Sequence, residues 1–281
     1  MSGGLRDTAP AKVNLSLRIV GRRADGYHEL ESLVAFADIG DALELTPGEA
    51  ASLCVSGPFA AASGAANDNL ILKAVRAAGL PAGAFSLDKR LPVAAGLGGG
   101  SSDAAAALRL VARYNGISVD DPRILAAARA AGADVPVCLD RKPRVMRGVG
   151  ELLSEPVTLP KLPAVLVNPG VAVPTASVFV AFRPEDSTAP PIDEVPIGAD
   201  ALLRWLASRG NDLTAAAIRV APAVATVLDA LSAQPGCRLS RMSGSGATCF
   251  GLFESTAAAA AAAETLGGTK RNWWIYQGML G

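Results

Sequence analysis

A glycine-rich segment, residues 92–102, has the clearest chemical character in the chain. Glycines let a backbone turn sharply and approach a ligand, and free N–H groups at the start of a helix attract an anion. The hydroxyls of Ser101 and Ser102 can contact a phosphate or a magnesium ion. The segment predicts a phosphate-binding loop made of Pro92, Val93, Ala94, Ala95, Gly96, Leu97, Gly98, Gly99, Gly100, Ser101 and Ser102.

The spacing excludes two common phosphate loops. A Walker A loop needs a Lys-Ser or Lys-Thr pair after its glycines, and this segment has none. A dinucleotide fingerprint that began at Gly96 would need glycine or alanine at position 101, where serine stands. A flexible turn from strand to helix is the alternative to a phosphate site.

Two charged residues are candidates for phosphoryl transfer, which needs charge neutralisation and often a base for the attacking hydroxyl. Asp134 follows the end of a predicted helix, in a Gly-Ala-Asp-Val-Pro turn that can aim a carboxylate at a cleft. Its alternative role is that of a helix cap. Lys12, at the head of a predicted strand, can hold that carboxylate ionised. A solvated strand-end lysine is the alternative.

Three further residues are candidates for binding a substrate. Asn14 shares a strand face with Lys12, because strand side chains repeat every two residues, although it can also sit at a polar edge. The ring of Tyr27 can stack on a nucleobase, and the imidazole of His28 can hydrogen-bond its edge. The alternative is a tyrosine that packs in a turn beside an exposed histidine.

Strands and helices must position these residues. Apolar periodicity predicts a strand over residues 11–20, and Ser101 or Ser102 is expected to cap a helix over residues 103–114. Residues 184–197 are predicted to form a surface loop. Mixed elements in two halves predict an α+β architecture with a boundary near residues 158–163. Other predicted strands are residues 30–36, 42–45, 85–89, 165–168, 273–277 and two pieces within 238–253, and other predicted helices are residues 69–78, 122–131, 201–209, 222–233 and 257–263.

The bulk composition restricts the partners. The 281 residues carry 26 basic and 26 acidic side chains, which gives no overall attraction to nucleic acid or membrane. The longest uncharged segment, residues 162–182, is interrupted by prolines and polar residues. We therefore expect a soluble, cytoplasmic protein that acts on a small molecule.

Several segments together resemble one family. The glycine segment and its continuation, PVAAGLGGGSSDAAAALR, resemble the second motif of the GHMP kinases, the galactokinase–homoserine kinase–mevalonate kinase–phosphomevalonate kinase superfamily. The matches run in order from Ala9 to Ala247 and cover most of the chain. The other matching segments are APAKVNLSLRIVGRRADGY, continuing into HEL, and GADVPV, GVGE, NPG followed by PT, and MSGSGA.

The resemblance implies a fold and roles for the candidate residues. It implies an N-terminal ATP-binding domain over residues 1–158 and a C-terminal domain over residues 159–281, with the active site in the cleft between the domains. Lys12 and Asp134 are then catalytic, and the glycine loop binds ATP with Mg²⁺, for which no residue is assigned as a ligand. Asn14 and Thr175 contact substrate, and Ser243-Gly244-Ser245-Gly246 supports the phosphate loop.

One branch of the family resembles this chain most closely. It implies transfer of the γ-phosphate of ATP to the 2-hydroxyl of 4-diphosphocytidyl-2-C-methyl-D-erythritol, with Tyr27 and His28 holding the cytidine, in a monomer or homodimer. A homoserine or mevalonate kinase, or a nucleotide- or anion-binding protein without turnover, are the alternatives. The chain departs from the branch in a basic run, Arg141, Lys142, Arg144 and Arg147, which either grips the substrate diphosphate or forms a solvated edge.

Overall fold

The computed structural model describes residues 4–187 and 189–281 and has the mixed α+β composition that the sequence predicts. The strands are β1 (Leu5–Asn14), β2 (Arg18–Arg22), β3 (His28–Pro47), β4 (Ser52–Ser56), β5 (Gly83–Asp88), β6 (Arg144–Gly148), β7 (Leu152–Leu153), β8 (Leu162–Asn168), β9 (Cys237–Met242), β10 (Cys249–Phe253) and β11 (Trp274–Leu280). The helices are α1 (Leu70–Ala78), α2 (Gly99–Tyr114), α3 (Pro122–Ala131), α4 (Val135–Asp140), α5 (Thr175–Ala181), α6 (Ala199–Ala207), α7 (Thr214–Val220), α8 (Ala223–Ser232) and α9 (Thr256–Thr269).

The chain divides into two compact units. The first contains Met1–Lys12, Gly40–Val93 and Gly98–Arg141, and the second contains Val13–Ile39, Ala94–Leu97 and Lys142–Gly281. The long strands β1 and β3 each contribute residues to both units. A domain boundary at residue 158 stays a prediction.

Helix α2 lies at the centre of the first unit. Every residue from position 102 to position 112 is buried, and α1, α3 and α4 all pack against this helix. Four successive alanines, residues 104–107, favour the helix and let neighbouring helices approach closely. The C-terminal part of β3 pairs antiparallel with β5, which pairs parallel with β4. This packing fixes the direction in which the N-terminus of α2 points.

The second unit contains an antiparallel arrangement of four strands, with β8 paired to β10 and β11, and β10 paired to β9. Helix α9 packs on β8, β10 and β11, and α8 packs on β9 and β10. The buried side chains between them include Val165, Val167, Leu231 and Leu266. The Ser255 hydroxyl accepts the Ala258 N–H and so caps the N-terminus of α9.

Several predicted boundaries are wrong. The strand expected over residues 11–20 is two strands, because the chain leaves β1 after Asn14 and Leu17 instead exchanges backbone hydrogen bonds with Gly210 and Asp212. The strands expected over residues 30–36 and 42–45 form one strand, β3. Helices α4, α5 and α7 were not predicted, since six or seven residues show too little periodicity.

The start of α2 also differs from the prediction. The helix begins at Gly99, and its N-cap is Gly98 rather than Ser101 or Ser102. The Ser102 hydroxyl donates to the Pro10 carbonyl at 2.7 Å, so it does not cap the helix.

The other predicted elements have counterparts in the structure. The helix predicted over residues 69–78 corresponds to α1, and the helix over residues 122–131 coincides with α3. The remaining predicted helices and strands are found with boundaries shifted by up to six residues, whereas strands β4, β6 and β7 were not predicted. The region predicted as a loop contains a short 3-10 turn, Pro184–Asp186, and its residue 188 lies outside the described part of the chain. Among the described residues, no helix combines the length and the apolar character needed to cross a membrane.

Candidate active site

The two predicted catalytic residues form an ion pair in the first unit. The Lys12 Nζ lies 2.8 Å from Asp134 Oδ2, with the lysine side chain 5% exposed and the aspartate side chain 35% exposed. Asp134 stands at the N-cap position of α4, but its carboxylate accepts no capping hydrogen bond. The alternative role of Asp134 as a helix cap is therefore not what its side chain does. A carboxylate that is paired with a lysine and partly open to solvent is placed to accept a proton from a bound hydroxyl.

This pair adjoins the N-terminus of α2. Gly98 has a φ of +60°, and a Cβ built on it would lie 3.0 Å from Lys12 Cε and 3.9 Å from Asp134 Oδ2. Only glycine adopts this backbone conformation readily at such a close approach. The N–H groups and the dipole of a 16-residue helix therefore meet the ion pair at a position suited to bind an anion.

In the second unit, the phosphate loop is contacted at residues 95 and 96 by Ser243-Gly244-Ser245-Gly246, here called the third glycine motif, and by the following Thr248. The Ser243 hydroxyl donates to the Gly96 carbonyl at 2.8 Å and accepts the Asn14 N–H at 3.1 Å. The Thr248 N–H donates to the Ala95 carbonyl at 3.1 Å. A Cβ on Gly96 would lie 2.2 Å from the Ser243 carbonyl oxygen, so no other residue fits. These contacts support this part of the loop.

Asn14 is buried next to these contacts between the third glycine motif and the phosphate loop. Its side-chain amide donates to the Ser32 hydroxyl at 2.7 Å, and that hydroxyl donates to the Ser16 carbonyl at 2.5 Å. The side chain is thus held by neighbouring strands rather than exposed at a polar edge.

Two phenylalanine rings pack against His28 in the second unit. The imidazole stacks on the Phe179 ring with centroids 5.0 Å apart, and Phe182 meets it edge-on at 5.8 Å. Tyr27 is 67% exposed beside it. Burial, with a smaller contribution from the Arg22 charge, lowers the pKa of His28. A neutral imidazole offers one donor and one acceptor, which suits the edge of a nucleobase.

Sequence reasoning missed Phe179 and Phe182. They lie at the C-terminal end of α5, the short helix that begins at Thr175. Two aromatic residues a few positions after a Pro-Thr pair, in a chain with only 5% aromatic residues, are the signal that was available. Thr175 itself shares a hydrogen bond with the Ser245 hydroxyl at 2.9 Å, which joins α5 to the third glycine motif.

Three members of the basic run make contacts within the fold. Arg141 pairs with Asp7 at 3.1 Å in the first unit. In the second unit, Arg147 pairs with Glu31 at 2.9 Å, and an Arg144 Nη1–H donates to the Ser154 carbonyl. These contacts tie the three arginines to the fold, and a role of the basic run in holding the substrate diphosphate stays a prediction.

The comparisons with known proteins agree with this geometry. The model of the GHMP kinases N terminal domain matches residues 69–141, and that of the GHMP kinases C terminal domain matches residues 197–270. These regions include α2, Asp134 and the third glycine motif.

Curated relatives match over almost the whole chain. A protein of Rhodopseudomonas palustris (strain ATCC BAA-98 / CGA009) named 4-diphosphocytidyl-2-C-methyl-D-erythritol kinase is 55% identical, over 98% of this chain and 97% of its own. A protein of the same name from Methylorubrum extorquens (strain PA1) is 53% identical, over 96% of this chain and 97% of its own.

Solved structures show the same relationship. The crystal structure of a 4-(cytidine 5'-diphospho)-2C-methyl-D-erythritol kinase is 39% identical and covers 99% of both chains, with a TM-score of 0.81. A mevalonate kinase of L. major has a TM-score of 0.66 at 15% identity, over 98% of this chain and 95% of its own, which shows the shared fold alone. The chain therefore belongs to the 4-diphosphocytidyl-2-C-methyl-D-erythritol kinase family of the GHMP kinases.

Proposed function

We propose that this protein transfers the γ-phosphate of ATP to the 2-hydroxyl of 4-diphosphocytidyl-2-C-methyl-D-erythritol, giving the 2-phosphate and ADP. The observation that carries the proposal is the 2.8 Å pair of Lys12 and Asp134 beside the N-terminus of α2. A carboxylate paired with a lysine beside a phosphate-binding helix end is the arrangement that a hydroxyl kinase needs. The names of the relatives supply the acceptor.

The chemistry follows from the charges of these groups. Asp134 accepts the proton of the attacking hydroxyl while the new oxygen–phosphorus bond forms and the bond from the γ-phosphorus to its bridging oxygen breaks. Lys12 pairs with the carboxylate, and its positive charge lowers the pKa of the attacking hydroxyl. The N–H groups of the glycine loop and of α2 hold the phosphates of ATP, which enters as its Mg²⁺ complex. Mg²⁺ is commonly bound by phosphate oxygens and only one or two protein ligands.

The aromatic side chains around His28 offer flat surfaces on which the cytosine of the acceptor can stack. We assign Phe179, His28 and Tyr27 to stack on the base or hydrogen-bond its edge, and Asn14 and Thr175 to contact the acceptor. Stacking on an aromatic side chain contributes about 1–3 kcal/mol per base.

The test is an ADP-release assay with the purified protein and three acceptors. We expect turnover with the cytidyl substrate and none above background with mevalonate or homoserine. Turnover with homoserine alone would overturn the assigned acceptor. ATP binding with no ADP release for any of the three would support a nucleotide-binding protein without turnover.

The setting of the reaction is part of the proposal. We place the protein in the cytoplasm as a monomer or homodimer that acts on a small molecule without nucleic acid. The equal numbers of acidic and basic residues support the absence of a polyanionic partner.

A further inference from the structure

A second lysine, Lys89, meets two carboxylates inside the first unit. Its Nζ lies 2.5 Å from Asp41 Oδ2 and 2.6 Å from Asp103 Oδ2. All three side chains are at most 5% exposed. None of them belongs to the proposed catalytic pair, and the mechanism above does not use them.

Asp41 holds the residues that lead into the phosphate loop. Its Oδ1 accepts the N–H groups of Arg90 at 2.6 Å and Leu91 at 2.8 Å. The backbone of Lys89 is itself fixed, since its N–H donates to the Ser56 carbonyl at 2.8 Å and its carbonyl accepts the Phe59 N–H at 3.1 Å. The chain is thus immobilised immediately before Pro92.

Asp103 holds the residues that follow the loop. It lies one turn into α2, and Lys89 is the partner of its Oδ2. A Cβ built on Gly99, the first residue of α2, would lie 3.1 Å from the Lys89 Nζ, so the ammonium group lies against the start of the helix. Lys89 therefore connects the segment that enters the loop to the helix that leaves it.

Stability by itself does not account for this arrangement. The Oδ1 of Asp103 is buried and has no hydrogen-bond partner among the described residues, which is unfavourable. Two buried carboxylates also share one ammonium group, and apolar side chains of similar volume commonly give an equal or more stable core. A need to hold the phosphate loop in position explains why these buried charges are present, whereas a need for stability does not.

We propose that Lys89, Asp41 and Asp103 are positioning residues that clamp the two ends of the phosphate loop and thereby set its affinity for nucleotide. The proposal rests on the ATP-binding role proposed for that loop. The three residues act through the backbone of residues 90–91 and the first turns of α2. They do not contact the reacting atoms.

The test removes the connection and measures nucleotide affinity separately from turnover. Asp103→Ala is expected to weaken ATP binding, measured by calorimetry, by roughly tenfold, because small displacements of binding groups have large effects. Asp103→Asn keeps the shape and a hydrogen bond to Lys89, so its dissociation constant for ATP should stay within about threefold of the parent value. The KM for the acceptor should change in neither variant.

A matched control lies on the same helix. Arg109 of α2 pairs with Asp7 at 2.7 Å, and both side chains are at most 10% exposed. Asp7→Asn should lower the melting temperature, as Asp103→Ala does, and leave ATP affinity within about twofold, because this pair lies two turns away from the loop. An equal loss of ATP affinity in Asp7→Asn and Asp103→Ala would overturn the clamp.

A second variant covers the case in which Asp103→Ala does not fold. Asp41→Asn/Lys89→Met/Asp103→Leu removes all three buried charges together and keeps a side-chain oxygen at position 41 that can accept the N–H groups of Arg90 and Leu91. We expect this variant to fold with near-parent stability and to bind ATP roughly tenfold more weakly, since the connection is gone. Unchanged ATP affinity in a folded triple variant would overturn the proposal.

Hydrogen exchange separates a failure of this inference from a failure of the proposed function. If the parent protein bound no ATP, the proposed function would fail and the clamp would still be testable. Exchange of the amides in residues 92–102 should be faster in Asp103→Ala than in the parent, and unchanged in Asp7→Asn. Equal exchange in all three proteins would overturn the clamp.

Discussion

Two lysine–aspartate groups lie against successive residues at the start of α2. The Lys12–Asp134 pair adjoins Gly98, and the Lys89 group adjoins Gly99. The ionic distances are similar, at 2.8 Å in the first group and 2.5 and 2.6 Å in the second. Exposure differs, because the Asp134 side chain is 35% accessible and those of Asp41 and Asp103 are 0% and 2% accessible.

This difference in exposure shows how the same pairing of lysine with aspartate serves two purposes. A carboxylate that solvent reaches can meet a substrate hydroxyl and pass its proton on. A carboxylate enclosed on all sides can only fix the backbone around it, and burial acts on its ionisation. Burial, and then the charge of Asp41, raise the pKa of Asp103 to about 8 against the opposing effect of Lys89. Burial acts to lower the pKa of Lys89, but the two carboxylates outweigh it and raise that pKa.

The largest expected effect tests the exposed carboxylate. Asp134→Asn keeps the shape of the side chain and removes the base, so kcat should fall by about 10³-fold while the dissociation constant for ATP changes by less than about twofold. Steady-state kinetics and calorimetry measure the two quantities. The matched variant is Asp103→Asn, for which kcat should stay near the parent value. A kcat within tenfold of the parent in Asp134→Asn would refute the assignment of the base.

The second largest expected effect tests Lys12, the cation of the pair whose aspartate is exposed. Lys12→Met removes the positive charge that stabilises the developing negative charge, so kcat should fall by about 10²-fold. Lys12→Arg keeps the charge in a different geometry and should recover only part of that loss. If Lys12→Met raised the KM for ATP and left kcat unchanged, Lys12 would be a binding residue rather than a catalytic one.

A third prediction concerns the dependence of stability on pH. The pKa of Asp103 is raised in the folded protein above its ordinary value of 3.8, so folding takes up a proton between those pH values. Stability that is present near pH 5 should therefore be lost as the pH rises toward 8, by up to about 1.4 kcal/mol per pH unit. Urea denaturation from pH 5 to pH 9 measures this slope.

The same experiment distinguishes the contribution of Asp103 from that of Asp134. Asp103→Asn should flatten the slope, because an amide cannot titrate, while Asp134→Asn should leave it in place. A parent protein whose unfolding free energy does not change over this range would show that Asp103 is ionised throughout.

The smallest effects compare the two glycines. Gly98→Ala places a side chain in a left-handed conformation, which costs about 1–2 kcal/mol, and moves it against Lys12. Gly99→Ala has a φ that is ordinary for a helix, so its cost comes from the 3.1 Å approach of the new Cβ to the held Lys89 Nζ and should stay below about 1 kcal/mol. Urea denaturation of both variants measures the difference. Equal losses would show that backbone strain is not what distinguishes the two positions.

Periodicity and turn chemistry predicted the longer elements well. Helix α3 has the predicted bounds, and α1 differs by one residue, because proline, asparagine and glycine mark helix ends locally. The beginning of α2 could not be predicted, since two glycines with low helix propensity form its first turn. That turn is held by the buried contacts of Ser102, Asp103 and Lys89, which lie far apart in sequence from some of their partners.

The sequence by itself determined the phosphate-binding character of residues 92–102, because glycines, serines and the following alanine helix act locally. Through its motifs it also determined the family. Only the tertiary structure decided which lysine meets which aspartate, and which pair stays open to solvent. Lys12 and Asp134 are 122 residues apart, and Asp41 and Lys89 are 48 apart, so only packing brings either pair together. Burial then separates a group suited to chemistry from one suited to position, because an enclosed carboxylate reaches no substrate.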